Sequence, residues 1–405
     1  MKIIWSKASL FFLFMIAFIG SSLRAVYFIK LPLKYQNLIH AHSHTAFQGW
    51  IYTLTILLIS SLYLSQSQIK KGRYPLQFWL TVLVIVGVLV SFSLQGYGLF
   101  SIIFSTIFGF MNYWFIFGFL RQTKDFTDEL RQSISLHFIK TGLWLGLLSS
   151  LLPFGIGFLA AKDLKATEAY PSLIYTFLHL QYNGWFLFVA LGLFFKLLEN
   201  AQIPFSKKMA SRFYLFFAIA VLPAISLSFL GTSFRNYIIL PAYFAAIMQI
   251  IGLGFFFLTL KPILKKWMCQ KNIWFKLFIS ASLVSFFLKI SLQSLSILPQ
   301  LEQYAFKNKN VVLAYLHLSL IGVLSFMLIA ILIDLKWLSI NWLSKIGLSS
   351  FLAGFVITEL ILALGGLGIF YDYKWLFYGS VAMLIGISLL LISPHKNHKS
   401  LTTKL

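Results

Sequence analysis

The sequence predicts an all-α fold: a polytopic membrane bundle of about 12 transmembrane helices in one integral domain, with no separate soluble domain. Two observations carry the prediction. The chain is 59% hydrophobic with 11% charged residues and has a mean hydropathy of +0.86, outside the range of soluble globular domains. Its apolar residues also gather into runs long enough to cross a hydrocarbon layer, which takes about 20 residues per helix.

Taken in order, these runs cover 8–29, 41–64, 77–96, 98–120, 136–161, 172–196, 212–231, 237–260, 273–297, 311–334, 346–370 and 374–393. The third and fourth are separated only by Gln95-Gly96-Tyr97-Gly98, a tight turn. Lys2 and Lys7 ahead of the first run resemble a signal peptide, with Ser21 to Ala25 as a weak cleavage site. An even number of spans fits the charge distribution better, so the first run is read as a retained helix.

Of the 33 Lys and Arg, 21 fall on the side of the N-terminus. Nine fall on the other side (Arg24, Lys30, Lys34, Lys162, Lys165, Arg235, Lys307, Lys309 and Lys374), and Lys140, Lys276 and Lys289 lie within spans. This bias predicts that both termini are cytoplasmic. The expected location is a bacterial cytoplasmic (inner) membrane. The formal charge of +23 superficially suggests nucleic acid, but the cations sit in short gaps between apolar runs and form no continuous groove. The expected partner is the lipid bilayer, with no nucleic acid. The segment from Arg121 to Ser133 mixes both charge signs and reads as a solvated connection. Cys269 is the single cysteine and falls in a basic loop, which excludes an intrachain disulfide, a thiolate zinc site and an iron-sulfur cluster.

A histidine signature recurs three times. His44, His179 and His317 each enter a long apolar run, 135 and 138 residues apart, and each is followed five residues later by a glycine: Gly49, Gly184 and Gly322. These positions begin the second, sixth and tenth spans, all entering from the outer side. An interval of four helices predicts pseudo-threefold, four-helix repeats. Imidazole is costly in hydrocarbon unless its nitrogens have partners, so the pattern points either to satisfied structural histidines or to a metal or haem site.

His40, His42 and His44 precede the second run. At about 100° per residue, His40 and His44 share a helix face while His42 and His44 point about 200° apart. Which of them serves as a ligand stays open. Five of the eight histidines gather at this outer layer; His137 lies at the opposite end of its span and reads as structural, and His395 and His398 fall in a basic, solvated tail. Imidazole without thiolates or a carboxylate cluster favours haem iron or copper over calcium or magnesium, with zinc open. The glycines suit a flat macrocycle or, more ordinarily, close helix packing. Trp50 and Trp185 fit either a haem edge or interfacial anchoring. Glu359, near the middle of the eleventh span, and Lys289, in the ninth, fit pairing with neighbouring helices or a proton relay. Arg24, Lys34, Arg235 and Lys374 are outer-side cations able to meet haem propionates or lipid headgroups.

At these residues the chain resembles the haem-copper oxidase superfamily, subunit I, particularly cbb-type oxidases and nitric oxide reductases. Span number, cytoplasmic termini and outer-side histidines on spans 2, 6 and 10 carry the resemblance over the whole chain. It implies a low-spin haem, of b-type by analogy, held by His42 or His44 with His317, and a second metal such as copper near His179. His40, from the same histidine cluster, is a further metal candidate. The segment His42-Ser43-His44-Thr45-Ala46-Phe47-Gln48-Gly49 is also similar to the His-Ala-His-Glu-Met-Leu-Phe-Gly motif of the NnrS family of haem and copper membrane proteins. The chain departs from the oxidases where their copper site is built: 212–231 contains no histidine, and the tenth span has His317 alone. The expectation is a haem-binding membrane protein in electron transfer or nitric oxide and oxygen chemistry, with an electron-donor protein or quinol as partner. A proton- or ion-coupled transporter and a cofactor-free sensor or assembly protein are the alternatives.

Overall fold

In the computed structural model, residues 2–394 are described, and no strand occurs among them. Eleven helices among the described residues are long and apolar enough to cross a membrane, or twelve where a bent pair counts as one span. The chain is an integral, multi-pass, helical membrane protein. Its spans are α1 Lys2–Ala25, α2 Tyr35–Tyr63, α3 Tyr74–Gln95, α4 Leu99–Asp125, α5 Ile134–Ala161, α6 Ala169–Asn200, α7 Lys207–Ala220 with Pro223–Phe229, α8 Arg235–Cys269, α9 Ile273–Leu295, α10 Lys309–Asp334, α11 Trp342–Gly366 and α12 Tyr373–Ile392. His395 and His398 lie outside the described residues.

The three helices that carry the histidine signature form the interior. Their most apolar stretches are 72%, 83% and 78% buried for α2, α6 and α10, against 22–50% for the other eight unbent spans. The signature therefore marks the helices that face protein, where a polar side chain finds partners. Trp50 and Trp185 are buried with them at 1% and 2% exposure, so they are core residues and not interfacial anchors. Trp342 and Trp375, exposed at the starts of α11 and α12, occupy the anchoring positions at the two faces.

Each interior helix departs from α-geometry at the same place. A π-helical stretch begins directly after each signature histidine: Thr45–Tyr52, Leu180–Phe186 and Leu318–Ser325. Inserting a residue into a helix leaves backbone groups to be satisfied by side chains. Ser325 Oγ donates to Leu320 O at 2.7 Å and accepts Trp50 Nε1 at 2.9 Å, joining the π stretches of α10 and α2. Ser282 Oγ of α9 donates to Val323 O at 2.7 Å. Gln181 Nε2 reaches Ser149 Oγ of α5 at 2.9 Å.

The signature glycines take up close packing from the preceding span. A Cβ on Gly49 would meet Phe12 of α1 at 2.9 Å, one on Gly184 would meet Leu145 of α5 at 3.2 Å, and one on Gly322 would meet Ser285 of α9 at 2.6 Å. Small residues also seal α11 to α12, where a Cβ on Gly354 would lie 2.5 Å from Gly379 O and one on Gly347 would lie 2.7 Å from Gly386 O. Helices α1 and α12 are neighbours, linked by Ser21 Oγ to Ser380 O at 3.0 Å and Arg24 Nη1 to Leu376 O at 2.8 Å.

Two boundaries differ from the sequence reading. Cys269 closes the long helix α8 and does not sit in a loop, because α8 continues through Pro262 and the following lysines to reach it. Glu359 lies in the distal third of α11, not near its middle, since that helix runs Trp342–Gly366. The Arg121 to Ser133 segment is a solvated connection, carrying an exposed Arg131–Asp128 ion pair at 2.6 Å.

Candidate functional site: an imidazole pair and a buried lysine network

His42 of α2 and His317 of α10 stand at the end of the bundle opposite the start of α1. His42 Nδ1 donates to Ile16 O of α1 at 3.0 Å, and its ring packs over Gly20, where a Cβ would stand 3.0 Å from Cε1. His317 Nδ1 faces Glu359 Oε1 of α11 at 3.4 Å, and neither atom has another partner. The two imidazoles are in electrostatic reach of each other, and the Arg24 guanidinium is in reach of both and of Glu359. Among the described residues, neither Nε2 has a hydrogen-bond partner within the protein. Holding an imidazole through Nδ1 leaves the Nε2 lone pair as the ligating position, the usual arrangement of a histidine ligand.

The turns beside this cluster are rich in tyrosine. Tyr27 and Tyr373 lie with ring centroids 3.9 Å apart. Hydrogen bonding to Tyr373, then burial, raises the Tyr27 phenol above its ordinary range. Burial, then Tyr373, pushes Tyr371 up to about 12, so that it remains a proton donor at neutral pH.

His40 and His44 face elsewhere. The His44 ring stacks on Phe92 at 4.1 Å, and its Nε2 shares a hydrogen bond with Tyr97 Oη at 3.1 Å. His40 takes the amide of Gln36 at 3.2 Å and stands edge-on to Tyr97 at 4.6 Å. Tyr97 comes from the tight turn between α3 and α4, where Gly96 adopts φ +63° and Asn37 Nδ2 holds Leu94 O at 3.0 Å. The turn is legible in the sequence; the direction of its tyrosine is not.

His179 is 1% exposed and uses both nitrogens inside the protein. Its Nε2 donates to Val221 O at 3.0 Å, and its Nδ1 accepts from Asn183 Nδ2 at 3.1 Å. The Val221 carbonyl is free because α7 breaks there: Ile225 N bonds Leu222 O at 3.1 Å where a continuous α-helix would use Val221, and the helix bends by 52°. Asn183 Oδ1 in turn accepts from Lys289 Nζ. Lys289, 1% exposed, also donates to Gln293 Oε1 at 3.0 Å, which accepts Tyr315 Oη at 2.7 Å. The ammonium lies 5.4 Å from the Tyr315 ring and 6.0 Å from that of Tyr182, positions suited to cation–π attraction. Its charge is thus met by amide oxygens and aromatic faces. Because Lys289 reaches His179 only through the Asn183 amide, the chain is a fixed set of dipoles and not a continuous proton wire.

The structure therefore separates the residues singled out from the sequence. His42, His317, Glu359 and Arg24 converge; His40 and His44 form an aromatic group with Tyr97; His179 and Lys289 share a third cluster. Arg235 is committed to Glu302, donating through Nε at 3.0 and 2.9 Å, while Lys34 and Lys374 are exposed. His137 stacks on Tyr214 at 5.7 Å. Asn183 and Gln293 were not anticipated, although each stands four residues after its partner, one helical turn along the same face. Among the described residues, no three His, Cys, Asp or Glu side chains converge to hold a metal ion. No family model and no curated protein matches the chain.

Proposed function

We propose that the protein is a haem-binding integral membrane protein of electron transfer or of nitric oxide and oxygen chemistry, in which His42 and His317 would hold the haem. The observation that carries the reading is that neither ring has a partner at Nε2, while His42 bonds Ile16 O through Nδ1 and His317 turns its Nδ1 toward Glu359. A b-type haem bound there supplies one-electron chemistry. The chain supplies the rest. The Ile16 carbonyl sets the angle of His42, Glu359 faces the far side of His317, and Arg24 brings positive charge against Glu359.

The interior position of every fourth span, the π stretch after each signature histidine and the glycine contact to the preceding span support three four-helix repeats. The Lys and Arg bias supports cytoplasmic termini, which turns the imidazole pair toward the outside of a bacterial inner membrane. An electron-donor protein on that side, or a quinol within the bilayer, is the partner this placement suits. Copper is left out of the proposal, because both nitrogens of His179 are engaged.

The test is spectroscopic. Protein purified from haem-replete membranes is expected to show a Soret band and a low-spin reduced spectrum, both lost in His42→Ala and His317→Ala and kept in His137→Ala. Absence of a Soret band in the parent protein overturns the reading. A low-spin spectrum surviving in His317→Ala assigns the ligands elsewhere.

A second reading, a proton- or ion-coupled transporter, draws on the broken helix α7 and the buried Lys289, both recurrent in transporter sites. Ion flux in proteoliposomes, abolished by Lys289→Met in protein devoid of haem, would favour it.

A further inference from the structure

The two imidazoles are held differently. His42 sends its Nδ1 proton to a peptide carbonyl, a neutral acceptor, at 3.0 Å. His317 Nδ1 and Glu359 Oε1 are both buried, have no other partner and face each other at 3.4 Å. Two such atoms are complementary when one carries a proton and the other accepts it. A metal on Nε2 leaves the ring's remaining proton on Nδ1, which then requires an acceptor. Glu359 is the group that faces it.

We infer that Glu359 is the positioning residue of His317, fixing the ring tautomer with Nε2 outward and making His317 the more electron-donating of the two ligands; this rests on the reading that His317 ligates haem iron. A carboxylate accepts an imidazole proton more strongly than a peptide carbonyl does and raises ligand basicity, which favours the ferric over the ferrous state. Arg24 completes the arrangement. Its guanidinium is in electrostatic reach of Glu359 and is pinned by its bond to Leu376 O at 2.8 Å, so it offsets the carboxylate charge from a fixed position.

The experiment compares full-length parent protein, Glu359→Gln and Glu359→Asp by potentiometric titration and by electron paramagnetic resonance of the ferric state. Glu302→Gln, which removes a carboxylate paired with Arg235 at 2.9 Å, is the control for charge alone. Glu359→Gln is expected to retain haem, to move the one-electron equilibrium about tenfold toward the ferrous form (~59 mV upward), and to change the ferric g values. Glu359→Asp keeps the charge but withdraws it by one methylene, so its g values are expected to change as well, while those of Glu302→Gln stay at the parent position. Haem-loaded Glu359 variants with the parent potential and g values overturn this inference and leave the ligation reading standing. A parent protein without a Soret band overturns both.

Discussion

The imidazole pair and the lysine network are built from the same recurring helix and use it in opposite ways. In the pair, His42 spends Nδ1 on a carbonyl, His317 turns Nδ1 toward Glu359, and both keep Nε2 open. In the network, His179 spends both, one on the carbonyl freed at the α7 break and one on Asn183. The difference shows that the recurring motif goes with a common helix geometry, whereas the partner on the neighbouring helix decides whether an imidazole keeps a nitrogen open or becomes a structural clamp. Three similar stretches of sequence need not make three similar sites.

That contrast is open to direct attack. The largest stability effect is expected at Asn183→Leu, which strips the Lys289 ammonium of one oxygen and His179 of its donor. Leaving a buried polar group without its partner costs about 1–3 kcal/mol for each group, and two lose one here, so the detergent-solubilised protein should lose its monodisperse peak at a markedly lower temperature. An unchanged thermal profile would show that the network does not hold α6 to α9. His317→Ala is expected to do the reverse, erasing the low-spin spectrum while moving the thermal profile far less than Asn183→Leu. His179→Phe leaves the Val221 carbonyl without its donor, which should cost about 1–3 kcal/mol and loosen the α7 bend, read out as faster hydrogen exchange over 221–229. The smallest effect is expected at His44→Phe, which keeps the stack on Phe92 and loses one bond to Tyr97, about 1 kcal/mol, with the visible spectrum unaltered. A spectral change there would move the ligand assignment from His42 to His44.

Much of the architecture was legible because apolar runs and Lys and Arg gaps report the bilayer directly. The spans agree with the helices to within a few residues in most cases. Helix α8 is the clearest exception: mean hydropathy falls in its last turns, yet the backbone stays helical through Lys265 and Lys266 to Cys269. The π stretches were invisible for a physical reason. A one-residue insertion is read from a slip in amphipathic phase, and an interior helix that is apolar all round has little phase to slip. The site was legible in its residue types and not in its pairings. His42, His317 and Glu359 could be named, but which imidazole nitrogen is occupied depends on carbonyls and carboxylates from α1 and α11 that no local pattern reveals. Glu359 and Lys289 were grouped by their shared rarity in hydrocarbon, and the fold assigns them to different clusters.

The contact between α1 and α12 makes the wall of the bundle a seam that α12 closes. Until α12 arrives during synthesis, Arg24 has no Leu376 carbonyl to hold and Ser21 has no Ser380 carbonyl, so polar groups of the first helix wait at an unfinished edge. Closure of that edge is thereby tied to the arrival of α12. A product cut off before Tyr373 would leave the Arg24 and Ser21 groups facing lipid without these carbonyls.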